Sequence, residues 1–496
     1  MRFPKISKKV SVLALALAVG ACDEGLTELN ENPNNPSDAT PDVLLRASLQ
    51  TAVGGNWGAL NVMNVMNHAG LWVQHVAQIQ YSDEDAYQPR ADNFQNFWDA
   101  MYGGPLKDFQ VIVEKTQASK DTRQEAVGLI MKSWAFGQLT DVYGDVPYKE
   151  AFKGEEGKFT PKFDPQKEIY DSLFMNLRRA DQLLSAAGNT GYGTADLIYG
   201  QDGASTTAEW QRFANSLRLR LAYHLVKVDP ARARAEFEAA VGRPIFTSND
   251  HNAKLTYTGS SPNLNPAYTN WAVNGRDDHR VSATLVNMLE TLHDPRLPVY
   301  ADPIDDDGES YVGYANGQED NSVGLSETSR IGMAFRAADA PLVLMNFAEV
   351  QFLRAEAARL GWNAGTTAAA AYTSGVRASL EQHGGDDITE ADITAYLAQP
   401  TVNYNTVANK GRAIAIQKWL ALYMQGIEAW TNWRITGYPQ IAPGPAARPG
   451  GVPRRYEYPG LEQSVNKANV EEAIARQGGA GLQTGRVWWD RPGTVS

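Results

Sequence analysis

Apolar side chains recur at α-helical spacing in one segment after another of this 496-residue chain. The clearest stripes are Val127, Ile130, Met131 and Trp134; Ile169, Leu173, Leu177, Ala180 and Leu184; Trp210, Phe213, Leu217 and Leu221; and Phe347, Val350, Leu353, Ala357 and Leu360. Such stripes are typical of helices that bury one face in a shared core. Strand-like alternation is scarce and short. The pattern therefore predicts a mainly α-helical protein.

Three predicted helix starts carry the same dipeptide signal. Thr40-Pro41, Asp164-Pro165 and Asp229-Pro230 each place a capping residue directly before a proline. Proline is favoured at the first helical position, where its missing N–H group has no intrahelical partner to lose. We therefore expect helices to begin at these points.

Residues 414–433 differ from the other stripes because apolar residues occupy nearly every face. A helix that is apolar all round belongs in a protein core, and the polar residues Gln417, Lys418, Gln425 and Glu428 argue against a membrane span. The spacing of its tryptophans favours core packing over a sugar-stacking platform. The segment is predicted to form one buried central helix.

Two segments interrupt the helical pattern. Residues 247–335 are rich in glycine, proline, asparagine and aspartate, with aromatic residues among them, and residues 437–496 begin with Gly437-Tyr438-Pro439. Long irregular segments within compact proteins often carry function. Residues 41–496 are predicted to form a single body, a helical scaffold with these two loop-rich parts.

The N-terminus has the pattern of a bacterial lipoprotein signal. Four basic residues precede the apolar run 10–19, and the small residues Gly20 and Ala21 stand directly before Cys22. This resembles a lipobox, so residues 1–21 are predicted to be a signal peptide and Cys22 to carry fatty acyl chains such as palmitate. The alternative is an ordinary secretory signal that ends at a cysteine by chance.

Residues 22–40 are rich in asparagine and proline, which favours turns over helix and predicts a flexible linker. Asp23 and Glu24 follow the cysteine directly and resemble the export signal of surface lipoproteins of Bacteroidetes. The protein is therefore expected to be lipid-anchored in the cell outer membrane and to face the outside.

The charge and cysteine content exclude several classes of protein. With 45 basic and 57 acidic residues, the net charge of −12 repels nucleic acid. A single cysteine excludes an internal disulfide, a cysteine-based zinc site and an iron–sulfur cluster. The chain contains no run of 18 apolar residues, so no segment is predicted to be a transmembrane helix.

Several segments together resemble the SusD/RagB family of outer-membrane nutrient-binding lipoproteins, specifically its SusD-like branch. The resemblance is carried, in chain order, by residues 32–36 (NPNNP), 141–148 (DVYGDVPY), 346–357 (NFAEVQFLRAEA), 428–439 (EAWTNWRITGYP), 454–459 (RRYEYP) and 487–490 (VWWD). Residues 417–418 depart from the pattern, because they are Gln-Lys where many relatives carry Glu-Arg.

This resemblance implies an α-solenoid of tetratricopeptide-like helical pairs that supports an irregular second half. It also implies a partner, a TonB-dependent SusC-like barrel that the lipoprotein covers like a lid. On the helix predicted from the apolar stripe Phe347 to Leu360, Glu349 and Arg354 lie within about a turn of each other. Glu356 and Arg359 on the same helix have the spacing of an ion pair. We interpret these charges as scaffold, not as catalytic groups.

The sequence carries no recognised catalytic or cofactor motif, so the chain is predicted not to be an enzyme and to use no cofactor. His68 and His75 could share a helical face, but two histidines alone are more often structural than metal ligands. Residues 305–309 (DDDGE) fail the EF-hand pattern; a solvated acidic turn is favoured over another type of calcium loop. No metal site is predicted.

Two regions combine aromatic and polar side chains as ligand recognition requires. The candidate binding residues are Trp72, Gln78 and Tyr81 in the first region, and Trp271, Asn274, Arg276, Asp277, Tyr311 and Tyr314 in the second. The predicted function is capture of a nutrient, foremost an oligosaccharide, and its delivery to the barrel. A peptide ligand, a surface-anchored glycan hydrolase and a structural adaptor of the barrel remain as alternatives.

Overall fold

The computed structural model describes residues 39–54, 66–186, 188, 192–200, 206–319, 323–385, 387–493 and 495. The predicted signal peptide, Cys22, and the predicted linker except for its last two residues lie outside these ranges. None of the described helices is both long enough and apolar enough to cross a membrane.

Helices dominate the first half of the described chain. They are α1 (Pro41–Leu49), α2 (Ala69–Trp72), α3 (Ala91–Gly103), α4 (Pro105–Ser119), α5 (Thr122–Tyr143), α6 (Gln166–Ala186), α7 (Thr207–His224) and α8 (Pro230–Val241). A π-helical turn, Gln50–Gly54, continues α1, and short 3-10 turns occupy Gly154–Glu156 and Gly193–Ala195.

The second half mixes short and long helices. They are α9 (Pro266–Tyr268), α10 (Ala283–Thr291), α11 (Leu297–Tyr300), α12 (Met333–Arg336), α13 (Phe347–Arg359), α14 (Ala368–Gly384), α15 (Glu390–Ala398), α16 (Lys410–Ala421), α17 (Gly426–Thr436), α18 (Gly460–Val465) and α19 (Lys467–Arg476). A π-helical turn, Thr269–Val273, follows α9, and 3-10 turns occupy Asn249–His251 and Leu325–Glu327.

The described strands form two small antiparallel sheets. β1 (Val76–Gln78) pairs with β3 (His279–Val281), and β2 (Ala253–Leu255) pairs with β4 (Leu342–Met345). In the first sheet Val76 lies opposite Val281 and Gln78 lies opposite His279. Each sheet therefore joins segments that are far apart in the sequence.

The long helices pack in pairs. Each helix from α4 to α8 packs against the next, α13 packs against α14, and α16 packs against α17. Contacts of α13 with α7 and with α16 join these groups. The predictions of a mainly α fold and of a scaffold of tetratricopeptide-like helical pairs are confirmed.

The predicted central helix over residues 414–433 is instead two helices. α16 ends at Ala421 and α17 begins at Gly426, with Met424 in the left-handed region at φ 65°. This turn lets the two helices pack on each other, so that apolar residues on several faces become buried. Trp419 and Trp430 are fully buried, which confirms their interpretation as core residues.

The proline signals locate helix starts, but only one of the three side chains caps its own helix. The Asp229 carboxylate accepts the N–H group of Arg232 at 3.2 Å, whereas Thr40 makes no capping hydrogen bond. The Asp164 carboxylate instead accepts the N–H groups of Tyr148 and Lys149, both at 2.9 Å. Asp164 thereby fixes the loop that precedes α6.

The segment 437–496, predicted to be loop-rich, also contains the helices α18 and α19. Its many prolines favour loops, so the sequence does not predict these two helices.

Residues of the family-like motifs meet in a buried charge network. It comprises Asp141, Tyr170, Arg220, His224, Glu349, Lys418, Glu428 and Trp489. Arg220 donates two hydrogen bonds to Glu349, at 2.7 and 2.6 Å. Lys418 donates to Glu428 at 3.0 Å, so this position forms an ion pair in spite of its departure from the family pattern. The network ties α5, α6, α7, α13, α16 and α17 together.

The charges of helix α13 have different partners. Glu356 accepts a hydrogen bond from Arg359 at 2.9 Å, as the spacing predicted. Glu349 is not paired with Arg354, because its carboxylate reaches Arg220 on α7. Arg354 instead donates to the carbonyl oxygen of Ala364 at 3.0 Å. Both arrangements hold helix positions, which supports their interpretation as scaffold.

Candidate functional site

The first small sheet brings the two predicted binding regions together. β1 ends three residues before Tyr81, and β3 begins three residues after Arg276. The ladder continues beyond the paired strands, since the Ile79 N–H group donates to the Asp278 carbonyl oxygen at 2.9 Å. The Arg276 guanidinium consequently lies 4.8 Å from the centre of the Tyr81 ring.

We call the resulting surface the loop surface and define it by Tyr81, Trp271, Asn274, Arg276, Asp277 and Arg330. Tyr81 is its most prominent aromatic residue: its backbone is left-handed at φ 55°, and the residue is 51% exposed. A hydrogen bond of 2.9 Å from Arg276 Nε to Asp278 Oδ2 fixes the guanidinium against the Tyr81 ring. An exposed ring held in this way is suited to stacking on a flat ligand.

Trp271 lies on the π-helical turn that follows α9 and is half-buried. Its indole Nε1 donates to the carbonyl oxygen of Arg336 at 3.0 Å, and the Arg336 guanidinium lies 4.5 Å from the ring centre. The ring also contacts Tyr268 edge-on. Trp271 therefore lines a narrow cleft beside Arg330 instead of standing free on the surface.

Two arginines neutralise the carboxylate of the loop surface. Asp277 accepts hydrogen bonds from Arg280 at 2.9 Å and from Arg330 at 2.8 Å. Burial would raise the pKa of Asp277, but these hydrogen bonds and charges outweigh it and lower the pKa. Arg330 remains about half exposed, so its guanidinium is also accessible to a ligand. Asn274 is exposed on the same loop.

Three predicted binding residues are buried, which corrects the prediction for them. Trp72 is fully buried, and its Nε1 donates to the Glu84 carbonyl oxygen at 3.2 Å. Gln78 lies in β1, where all three residues are buried, and its amide oxygen accepts the Asp85 N–H group. Tyr314 packs behind that strand in a cluster with Ala77. Their segments are rich in aromatic and polar residues, but the fold directs these three side chains inward.

Tyr311 lies beside the acidic turn and is half-buried; its hydroxyl donates to the Gly308 carbonyl oxygen at 3.2 Å. The Asp305 carboxylate accepts the N–H groups of Glu309 and Ser310, so it closes its own turn. Among the residues that the structure describes, no group of three or more histidine, cysteine, aspartate or glutamate side chains could hold a metal ion. Nothing places Tyr311 on the loop surface.

The two histidines that could have shared a helical face lie apart in the core. His68 stacks on Phe94 at 5.1 Å, and His75 bonds the Trp419 carbonyl oxygen at 2.9 Å. Burial lowers the pKa of His75 to about 3, against the opposing effect of that hydrogen bond. Both histidines are therefore structural.

The sequence did not indicate Arg330 and Arg336 as members of the site. Arg330 reaches Asp277 at 2.7 Å, and Arg336 covers one side of Trp271. Both residues are more than 50 positions from these partners. Only the tertiary fold brings them together, and no local motif marks either residue.

The comparisons with known proteins agree on one family. A SusD-like family model described as "Starch-binding associating with outer membrane" matches residues 33–459. A solved structure titled "chitin-binding protein" is 31% identical, with a TM-score of 0.79, and the match covers 91% of this chain and all of the other. Comparison with curated protein sequences gives no match.

Two further solved structures are similar over the same extent. A chitin-binding SusD homologue from Flavobacterium johnsoniae is 27% identical with a TM-score of 0.80, and the match covers 92% of this chain and 99% of that one. A SusD homologue from Bacteroides uniformis is 27% identical with a TM-score of 0.79, covering 92% and 100%. With the helical pairs and the family model matched over most of the chain, this protein belongs to the SusD-like family.

Proposed function

We propose that this protein captures an oligosaccharide at the loop surface and passes it on without cleaving it. The observation that carries the proposal is the exposed Tyr81 ring, backed by Arg276 and placed beside the Trp271 cleft. Aromatic faces stack on sugar rings, while guanidinium and amide groups bond sugar hydroxyls. The chitin-binding relatives support a glycan ligand and make chitin fragments the first to test.

The receiver of the glycan is a TonB-dependent, SusC-like barrel in the outer membrane. Membership of the SusD-like family and its description as outer-membrane associated support this partner. Lipid chains on Cys22 hold the protein at the outer face of that membrane. In this arrangement the protein increases the local concentration of glycan at the barrel.

Capture is favoured over hydrolysis by the state of the carboxylates at the loop surface. Glycoside hydrolysis requires one carboxyl group that acts as an acid and a second that acts as base or nucleophile. Asp277 is paired with Arg280 and Arg330, and Asp278 is paired with Arg276 at 2.9 Å. Neither carboxylate is placed to donate a proton to a glycosidic oxygen. A peptide ligand, a second of the three alternatives, would use the same exposed surface.

The proposal is tested with Tyr81→Ala and isothermal titration calorimetry against chitotetraose and maltotetraose. Loss of one aromatic contact should weaken binding of the preferred glycan about tenfold to a hundredfold, equivalent to about 1–3 kcal/mol. The melting temperature should stay unchanged, because the Tyr81 side chain is half exposed. Phe159→Ala is the matched control, since Phe159 is an 81% exposed aromatic residue in another loop. An unchanged dissociation constant for Tyr81→Ala, or the appearance of shorter oligosaccharides in the calorimeter cell, would contradict the proposal.

Trp271→Ala should differ from Tyr81→Ala in its effect on stability. It should weaken glycan binding, and it should also lower the free energy of unfolding by about 1–2 kcal/mol. That figure is below the roughly 3–5 kcal/mol for a fully buried tryptophan, because this ring is half-buried and bonded to Arg336. Urea denaturation beside calorimetry separates the two effects. A loss of stability with unchanged affinity would make Trp271 a structural residue alone.

A further inference from the structure

A second cavity, of about 160 Å³, adjoins the loop surface through helix α12. Arg336 of this helix covers Trp271, whereas its neighbour Phe335 and the preceding Ala334 line the cavity. We call it the α12 cavity. Adjacent residues of one short helix therefore contact both features.

Aromatic rings form one wall of the α12 cavity. Phe335 lies 4.8 Å from Tyr423 at an interplanar angle of 81°, and 5.3 Å from His383. Tyr423 in turn stacks on Tyr300 at 4.5 Å. Burial and the nearby charge of Arg296 lower the pKa of His383 to about 3, so its ring is neutral at pH 7. The wall is aromatic, uncharged and suited to a small apolar group.

Gln425 lines both this cavity and a neighbouring one, and its side-chain amide has an unmet acceptor. The Gln425 side-chain oxygen is buried, and it has no hydrogen-bond partner among the described residues. Gln425 follows the left-handed Met424 in the tight turn between α16 and α17, which fixes its position. Buried acceptors are nearly always paired in proteins, so this oxygen is suited to an N–H donor from a ligand. Lys254 lines the same cavity and supplies a cationic donor.

We propose that the α12 cavity recognises the N-acetyl group of one sugar residue in the captured glycan. The acetamido N–H group donates to the Gln425 oxygen, its methyl group packs on Phe335 and Tyr423, and its carbonyl oxygen faces Lys254. The volume is about half of the roughly 300 Å³ at which drug-sized pockets begin, so it accepts one ring-sized group. The inference rests on the proposed function and specifies the sugar class.

The test compares two tetrasaccharides by isothermal titration calorimetry. Chitotetraose carries an acetamido group on each ring, whereas cellotetraose carries a hydroxyl at the same position. The wild-type protein should prefer chitotetraose at least tenfold. Ala334→Trp fills the cavity from an exposed position and should abolish the preference, and Gln425→Ala should reduce it without filling the space. Met333→Trp is the matched control, because Met333 is 48% exposed on the same helix outside the cavity lining; it should keep the preference.

The outcomes separate this inference from the proposed function. If Ala334→Trp keeps the preference, or the wild-type protein binds both tetrasaccharides equally, the cavity does not read the N-acetyl group, although glycan capture stands. If the wild-type protein binds neither of these tetrasaccharides nor maltotetraose, the proposed function fails, and saturation-transfer NMR with free N-acetylglucosamine then tests the cavity by itself. A methyl signal that Ala334→Trp removes supports the inference, and the absence of that signal in the wild-type protein overturns it.

Discussion

At the scale of single residues, the most unusual group in the scaffold is His224. Its ring lies between two carboxylates, 3.3 Å from Asp141 and 3.2 Å from Glu428. Burial alone would lower the pKa of His224, but the charges of Glu428 and Asp141 outweigh it and raise the pKa to about 9. Burial would likewise raise the pKa of Glu428, and the charges of Lys418 and His224 lower it instead. His224 is therefore a buried cation at neutral pH.

This position predicts a stability that declines in alkali. Because the pKa of His224 is about 6.5 in the unfolded chain and about 9 in the fold, its contribution is fully present below pH 6.5 and is lost as the pH rises through 9. One pKa unit corresponds to about 1.4 kcal/mol, so the contribution is on the order of 3 kcal/mol. Urea denaturation of the wild-type protein and of His224→Gln should give a difference in unfolding free energy that is largest near pH 6.

That difference should shrink as the pH approaches 9.5. His293→Gln is the control, because His293 is exposed and lies outside the charge network; it should follow the wild-type profile. If the difference in unfolding free energy between the wild-type protein and His224→Gln stayed constant from pH 6 to pH 9.5, His224 would not be a buried cation. In that case the network would be held by hydrogen bonds of a neutral imidazole.

At the scale of elements, the sequence predicts helices that bury one continuous stripe and misses features set by partners elsewhere in the chain. The stripe from Ile169 to Leu184 becomes the buried face of α6, because helical spacing alone determines which side chains face the core. The composition of residues 414–433 predicts one helix, because two helices that pack on each other and one helix buried all round have the same composition. Glu349 pairs with Arg220 across 129 positions, which no local spacing reveals.

The two motif glycines at helix ends should differ in how they tolerate a side chain. Gly144 ends α5 at φ 79° and ψ −116°, and an added Cβ would lie 1.8 Å from the Gln477 side-chain oxygen. Gln477 is buried and bonded to Tyr458, so it has little freedom to move. Gly437 ends α17 at φ 75° and ψ 12°, and its Cβ position has no atom within 4 Å.

Gly437→Ala should therefore lower the free energy of unfolding by about 1 kcal/mol, the typical cost of a left-handed alanine. Gly144→Ala should lower it by about 2–4 kcal/mol, because a steric clash adds to an unfavourable backbone conformation. Urea denaturation of both variants gives the comparison. Equal losses would mean that Gln477 moves aside without cost and that only the backbone conformation matters.

At the scale of the whole molecule, the loop surface depends on pairing between distant segments. The sequence places Tyr81 and Arg276 in separate regions, and the three-residue strands that bring them together are too short to leave an alternating pattern in the sequence. The same compositional argument also selected Trp72, which the fold buries against Trp430. Composition identifies segments that reach the surface, whereas the fold decides which of their side chains are exposed on the loop surface.

The predicted lipid anchor at Cys22 can be removed to test whether the folded body is independent of it. Cys22→Ser should shift the protein from the membrane fraction to the soluble fraction, because acyl chains contribute about 0.8 kcal/mol for each buried CH₂ group and serine cannot carry them in place of the thiol. The first described helix begins at Pro41, after the linker, and the loop surface lies farther along the chain. Melting temperature and chitotetraose affinity should therefore equal those of the wild-type body. Mass spectrometry of the wild-type N-terminus checks the lipid directly, and membrane retention of the variant would show that another part of the protein holds it there.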